Sequence, residues 1–247
     1  MTELANNNLA GRTALIIGGS RGIGRVTVER FAADGARVVF TYAASAHAAE
    51  DLAGQVTAKG GDAKAIKADM GSPSEIRHGF NRAEQELGGL DIVIVNGATA
   101  SAAPISEVTE EEFDRVFGIN VKGTFVAFQE AARRVRRGGR IMATSSGGTQ
   151  MRVPDISLYL GSKGAIEQFV RVLARELGDR EITVNAVSPG FTDTEMLPDQ
   201  YRAVAAQASP FQRVGTPEDI ADIFALLASE RGRWITGQNV HAGGGAF

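Results

Sequence analysis

The chain has 247 residues, 43% of them apolar and 22% charged, and its 26 Lys and Arg against 29 Asp and Glu give a formal net charge of minus 3. Such a length gives between one and two domains, a single α/β domain also reaching it, with a sizeable core, and the balance excludes disordered and collagen-like chains. The missing positive excess argues against nucleic acid as a partner, and the absence of cysteine removes disulfides, thiol nucleophiles and Cys-ligated metal sites.

In chain order, short β-branched runs alternate with longer amphipathic stretches, the pattern of a parallel sheet covered on both faces by helices. Strands are expected at Thr13–Ile17, Arg37–Tyr42, Ala63–Lys67, Asp91–Val95, Arg140–Thr144, Ile182–Val187 and Asn239–His241. Helix starts are marked by Ser72-Pro73, by Thr109 with Glu112 as a capping box, and by Thr216-Pro217. The clearest helix runs from Tyr159 to Leu177, with Ile166, Phe169, Val170, Leu173 and Leu177 on one face and Gly178 as its stop. The expected fold is a single doubly wound Rossmann domain over residues 1–247, a seven-stranded parallel sheet with residues 1–10 as an N-terminal extension and 191–215 as a substrate-loop region. His47, His78 and His241 are scattered without a ligand pattern, so no metal is expected. No basic segment followed by an apolar run opens the chain, and no stretch nears the roughly 18 apolar residues of a membrane span. A cytoplasmic protein without a membrane partner is therefore expected.

Directly after the first strand stands Gly18-Gly19-Ser20-Arg21-Gly22-Ile23-Gly24, opening a helix that extends to Asp34. In a strand–loop–helix–strand context, such glycines let the backbone approach a pyrophosphate whose charge is stabilised by free N–H groups at the helix N-terminus. NAD is usually selected by an acid after the second strand. Here that segment reads Tyr42-Ala43-Ala44-Ser45, without one. Arg21 is placed to meet a 2′-phosphate, with Tyr42 and Ser45 beside it, so NADP(H) is the expected cofactor. The alternative for Arg21 is a solvated loop charge.

Tyr159 and Lys163 lie one helical turn apart. An ammonium about 4 Å from a phenolate stabilises it by on the order of 4 kcal/mol at an effective dielectric of about 20, enough to bring the phenol toward neutral pH as an acid. With Ile17 through Gly24, Asn120-Val121-Lys122-Gly123 and Tyr159 through Lys163 in this order and spacing, the chain resembles the short-chain dehydrogenase/reductase family over Gly11 to Gly245. Within it, the resemblance points to 3-oxoacyl-[acyl-carrier-protein] reductases and related NADPH-dependent ketoreductases. It implies that Tyr159 is the general acid/base, that Lys163 lowers the tyrosine pKa and binds the nicotinamide ribose, and that Asn120 holds a water behind Lys163. The serine that bonds the substrate carbonyl corresponds to Ser146, with Ser145 as a neighbouring competitor. Further cofactor contacts are implied at Asp69, Met70, Asn96, Gly97, Pro189, Gly190, Thr192 and Thr194.

Two positions depart from the family pattern. Ile17 replaces a threonine, and the segment after the fourth strand reads Val95-Asn96-Gly97-Ala98 instead of N-N-A-G, so hydrogen bonds worth roughly 1 kcal/mol each must be replaced or lost. The resemblance places a ketone or alcohol substrate between Gly147 to Val153, Phe191 to Phe211 and Phe247, with Gln150, Met151, Arg152, Val153, Phe191 and Met196 as candidate contacts. The run Arg133 to Arg140 with Arg180 reads either as a docking flank for an acyl carrier protein or as a solvated helix end. A homotetramer is implied by the family. The competing functional reading is a non-catalytic NADP(H)-binding regulator on the same fold.

Overall fold

The computed structural model describes residues 8–151 and 153–247. Arg152, expected in the substrate cleft, and the first seven residues of the expected extension lie outside them. Of the rest of that extension, Asn8 and Ala10 are exposed, while Leu9 is buried in the core and donates its N–H to the Asp34 carbonyl at 3.0 Å.

Among the described residues, seven parallel strands form one sheet in the order β3-β2-β1-β4-β5-β6-β7: β1 Thr13–Ile17, β2 Arg37–Tyr42, β3 Asp62–Lys67, β4 Leu90–Val95, β5 Val135–Thr144, β6 Thr183–Pro189 and β7 Asn239–Ala242. β1 and β6 are buried at every position, as strands covered on both faces must be. The helices are α1 Gly22–Ala33, α2 Ala46–Ala58, α3 Pro73–Leu87, α4 Glu110–Phe117, α5 Thr124–Arg134, α6 Gly148–Met151, α7 Ser157–Glu176, α8 Arg202–Ala208 and α9 Pro217–Ala228. One apolar cluster joins the sheet to α3, α5 and α7 through residues such as Phe80, Phe128 and Ile166. A second joins its other face to α1, α2 and α9 through Phe31, Leu52 and Phe224. Among the described residues no helix is long and apolar enough to cross a membrane.

The caps follow the sequence, with one difference in kind. Thr216 and Asp219 close both halves of a capping box, whereas Thr109 accepts from the Glu112 N–H while the Glu112 carboxylate turns to Arg115 at 2.7 Å. Two expectations are corrected. β5 begins five residues early, at Val135, because the register slips between Leu90 and Ile92 and Gly138 takes φ +75°; Val135 is its only apolar residue before Ile141, so periodicity gave no sign of a strand. α7 is not ended by a left-handed Gly178; the chain makes one tight turn over Gly178–Arg180, and Glu181 takes the positive φ of 56°. Asn120 sits in a widened π turn, Gly118–Gly123, that joins α4 to α5.

The strand order reverses between β1 and β4, which opens a crevice at their C-terminal ends. The loops after β1, β4, β5 and β6 all leave toward that end of the parallel sheet, carrying Gly18, Asn96, Ser146 and Gly190.

Candidate active site

The glycine loop is fixed by close backbone approach. Gly18 has φ +79°, and a Cβ there would lie 2.5 Å from the Gly97 Cα. Its N–H donates to Thr41 Oγ1 at 3.1 Å. The Asn96 amide straps the loop to the next strands, donating to the Gly18 carbonyl at 2.9 Å and accepting from Thr144 Oγ1 at 2.8 Å. The Ile17 carbonyl takes the N–H groups of Asn96 and Gly97, both at 2.9 Å. Asn96 and Thr144 thus supply polar contacts across the two departures at Ile17 and Val95–Ala98.

No side chain caps α1, so its first N–H groups, beside Ser20, Gly22, Ile23 and Gly24, remain for an anion. Arg21 is exposed at the rim, 3.3 Å from Glu195. Tyr42 is half-buried, and Ser45 caps α2 by accepting from the Ala48 N–H, which leaves its O–H to donate. The surroundings therefore fit a dinucleotide: a cradle with no room for Cβ atoms at Gly18 and Gly24, open N–H donors and a rim cation. Asp69 is exposed, its carboxylate accepting from the Gly71 N–H at 2.8 Å. The Met70 side chain belongs to the core, packed against Gly97, so what Met70 offers a ligand is its main chain.

Opposite the cradle, Pro189 accepts from the Gly147 N–H at 2.8 Å and Gly190 donates to the Ala242 carbonyl at 3.1 Å, pinning the loop that follows. Thr192 is buried, and its hydroxyl donates to the Gly190 carbonyl at 3.0 Å. Thr194 brings its methyl within 3.3 Å of where a Cβ on Gly22 would stand. This loop therefore closes on the glycine loop, and an open cleft of about 510 Å³ lies there, lined by Gly22, Asp193, Thr194, Glu195, Leu197 and Arg202 among others.

α7 brings the chemistry to the end of β5. Ser146 lies beside the Tyr159 phenol and lowers its pKa, and its Oγ accepts from the Gly148 N–H at 3.2 Å. Ser145, the competitor, is turned away and donates to Glu167 at 2.9 Å. Lys163 is buried beneath Tyr159, its Nζ 5.6 Å from the ring centroid and donating to the Thr144 carbonyl at 2.8 Å. Burial pushes the lysine down to about 8. Burial pushes the phenol up, and only Ser146 opposes it. The expectation that Lys163 depresses Tyr159 is thus corrected for this arrangement: the ammonium is held by a backbone carbonyl, and desolvation dominates at the phenol.

Asn120, fully buried, uses both amide protons, on the Thr99 carbonyl at 2.8 Å and Ser162 Oγ at 3.0 Å, while its Oδ1 accepts from the Thr99 N–H. Its side-chain donors are therefore spent on locking the π turn to α7 and to the segment after β4. Of the candidate substrate contacts, Met151, Val153 and Phe191 are half-buried, while Gln150 and Met196 are exposed, and none of the five lines the open cleft. The Phe247 ring packs over Gly147 and Gly243 and meets His241 edge-on at 5.2 Å. Sequence reasoning missed Thr144, Glu167 and Glu195. For Glu167 a signal existed, since it follows Tyr159 and Lys163 at the same four-residue spacing.

A family model described as enoyl-(acyl carrier protein) reductase matches residues 17–246, and the versicolorin reductase stcU of Emericella nidulans is 40% identical over 263 residues, covering 100% of both chains. The chain belongs to the short-chain dehydrogenase/reductase family. Among solved structures of this family, a short chain dehydrogenase from Burkholderia cenocepacia in complex with NADP is 40% identical with a TM-score of 0.92, over 97% of this chain and 99% of that one. The angucycline C-6 ketoreductase LanV with bound NADP is also 40% identical at a TM-score of 0.92, over 97% of this chain and 96% of its own. As a short-chain dehydrogenase/reductase the protein is an oxidoreductase acting between CH–OH and C=O groups.

Proposed function

We propose that the protein is an NADPH-dependent ketoreductase in which Tyr159 protonates the carbonyl oxygen as it becomes a secondary alcohol. The observation that carries this reading is the stacking of a buried Lys163 Nζ 5.6 Å from the Tyr159 ring centroid, with Ser146 beside the phenol. The loop Gly18 to Gly24 would hold NADPH, which would supply the hydride. The chain's own groups do the rest. Two hydroxyls converge where a carbonyl oxygen would sit, Ser146 orienting it and Tyr159 giving the proton. Lys163 holds its charge at neutral pH, where it would bind the ribose. Asn120 fixes the turn behind it, with any relay water left to the second lone pair of Oδ1 or to main-chain groups. The neighbours solved with NADP, together with the acid-free end of β2 and exposed Arg21, support the phosphorylated cofactor.

For the substrate, relatives named for versicolorin and for an angucycline C-6 ketone support a free ketone. A 3-oxoacyl thioester is the second reading, favoured by the description of the matching family model. The arginines that would dock its carrier are engaged at home: Arg134 with Glu84 and Glu130, Arg137 with Glu181, and Arg180 with the carbonyls of Ala132 and Val135. Half-exposed Phe125 on α5 and Val172 on α7, and nearly fully exposed Trp234, support the homotetramer, which sedimentation at micromolar concentration would test. The functional test is a panel of cyclic ketones and acetoacetyl thioesters followed by NADPH absorbance. Turnover of a ring ketone is expected; tight NADPH binding with no turnover of any member would favour a non-catalytic regulator.

A further inference from the structure

Tyr159, Lys163 and Glu167 form a stripe along one face of α7, and the third member has no place in the mechanism above. Glu167 is a carboxylate only 6% exposed, in surroundings where an apolar side chain of similar size would avoid its desolvation cost. Its Oε1 accepts from Ser145 Oγ and from Thr149 Oγ1, both at 2.9 Å, the latter hydroxyl being shared with the Ser146 carbonyl at 2.9 Å, while Arg171 approaches its other oxygen at 4.0 Å. Lys163 meanwhile grips the Thr144 carbonyl. The segment carrying Ser146 is therefore held to α7 at Thr144 and Ser145 on one side and at Thr149 on the other. Gly148 lies so close to the helix that a Cβ there would stand 2.7 Å from Leu160.

Resting on the reading proposed above, we infer that Glu167 is a positioning residue: by fixing Ser145 and Thr149 it turns the Ser146 hydroxyl, and not that of Ser145, toward Tyr159. It touches neither substrate nor cofactor. Both hydroxyls converge on one oxygen, so the role needs an acceptor, not a charge. Without that acceptor, Ser145 Oγ would turn to the Lys163 carbonyl at 3.5 Å and Thr149 Oγ1 wholly to the Ser146 carbonyl, and the six-residue segment from Thr144 to Thr149 would lose its register against Tyr159.

The test compares kcat for a turned-over ketone with NADPH Kd in Glu167→Ala, Glu167→Gln and the double variant Ser145→Ala/Thr149→Val. Glu167→Ala should lose kcat on the order of 100-fold, as displacements of about 1 Å in a catalytic group do, with NADPH Kd unchanged. Glu167→Gln, which still offers one carbonyl oxygen to both hydroxyls, should recover most of that loss. The double variant should lose kcat similarly, and adding Glu167→Ala to it should cost nothing further; it also decides the matter if Glu167→Ala does not fold. Unchanged kcat in the double variant, additive losses, or a Gln variant as impaired as Ala would overturn the inference. Activity surviving in Tyr159→Phe would instead overturn the reading of the site on which it rests.

Discussion

Arg21 of the glycine loop and Glu195 of the loop after β6 are joined by an ion pair of 3.3 Å, with both side chains largely in water. A 2′-phosphate recognised by Arg21 must share the guanidinium with that carboxylate or displace it. Exposed pairs are worth only about 0.2 to 1 kcal/mol, so displacement is easy, yet Glu195 also repels the phosphate. Arg21→Ala should remove most of the NADPH over NADH preference, roughly 10-fold or more for a charge-assisted contact. Glu195→Gln should tighten NADPH up to about fivefold and leave NADH unmoved. Titration of both cofactors into the three proteins checks this.

The position for reversing that preference also follows from the structure. Thr41 is 2% exposed, and its hydroxyl accepts from the Gly18 N–H, so Thr41→Asp would bury a charge inside the loop support. Tyr42, half-buried at the strand end, can carry the acid. Tyr42→Asp should shift kcat/KM toward NADH with Tm nearly kept, whereas Thr41→Asp should lower Tm by several degrees or abolish folding; thermal melts beside cofactor kinetics separate the two.

The buried lysine predicts a pH dependence of stability. Lys163 falls from an ordinary 10.5 to about 8 on burial, so between these values the unfolded chain binds more protons than the folded one, and stability from this group rises with pH. Below about 8 the lysine is charged in both states and its full desolvation penalty applies. Against Lys163→Met, the wild type should therefore gain relative Tm as pH rises from 8 toward 10.5. A difference that stays flat over that window would contradict the burial.

Asn96 is predicted to serve stability and cofactor binding together. Asn96→Ala removes its bonds to Gly18 and Thr144, at roughly 1 kcal/mol each, or about 4 to 8 °C in Tm for a chain of this size. It should also weaken NADPH, because the loop loses its strap. A fall in Tm without a change in NADPH Kd would mean that Asn96 only holds the fold.

Much of this was legible before any coordinates. β1 and β2 lie at the limits read from their apolar runs, because strands covered on both faces admit little else. The order Gly18 to Gly24, Asn120, Tyr159, Lys163 marked the crevice because each depends on local backbone or helical spacing. What stayed hidden depends on contacts between distant segments. The early start of β5 needed a glycine and a register slip, and the choice between Ser145 and Ser146 is made by Glu167, 22 residues away in sequence from Ser145. The partner of Lys163 is a backbone carbonyl, which no side-chain pattern announces.

The measurement that bears most directly on the account is a paired assay of Tyr159→Phe: NADPH Kd by calorimetry, and single-turnover reduction of a ketone that the wild type converts. The substitution deletes one hydroxyl facing Ser146 and leaves the glycine loop, Arg21 and Lys163 in place. The expected result is NADPH binding close to wild type with reduction lowered by about 100-fold or more, the range of a lost general acid. Reduction within a few-fold of wild type, with cofactor bound, would contradict the assignment of Tyr159 and with it the ketoreductase mechanism.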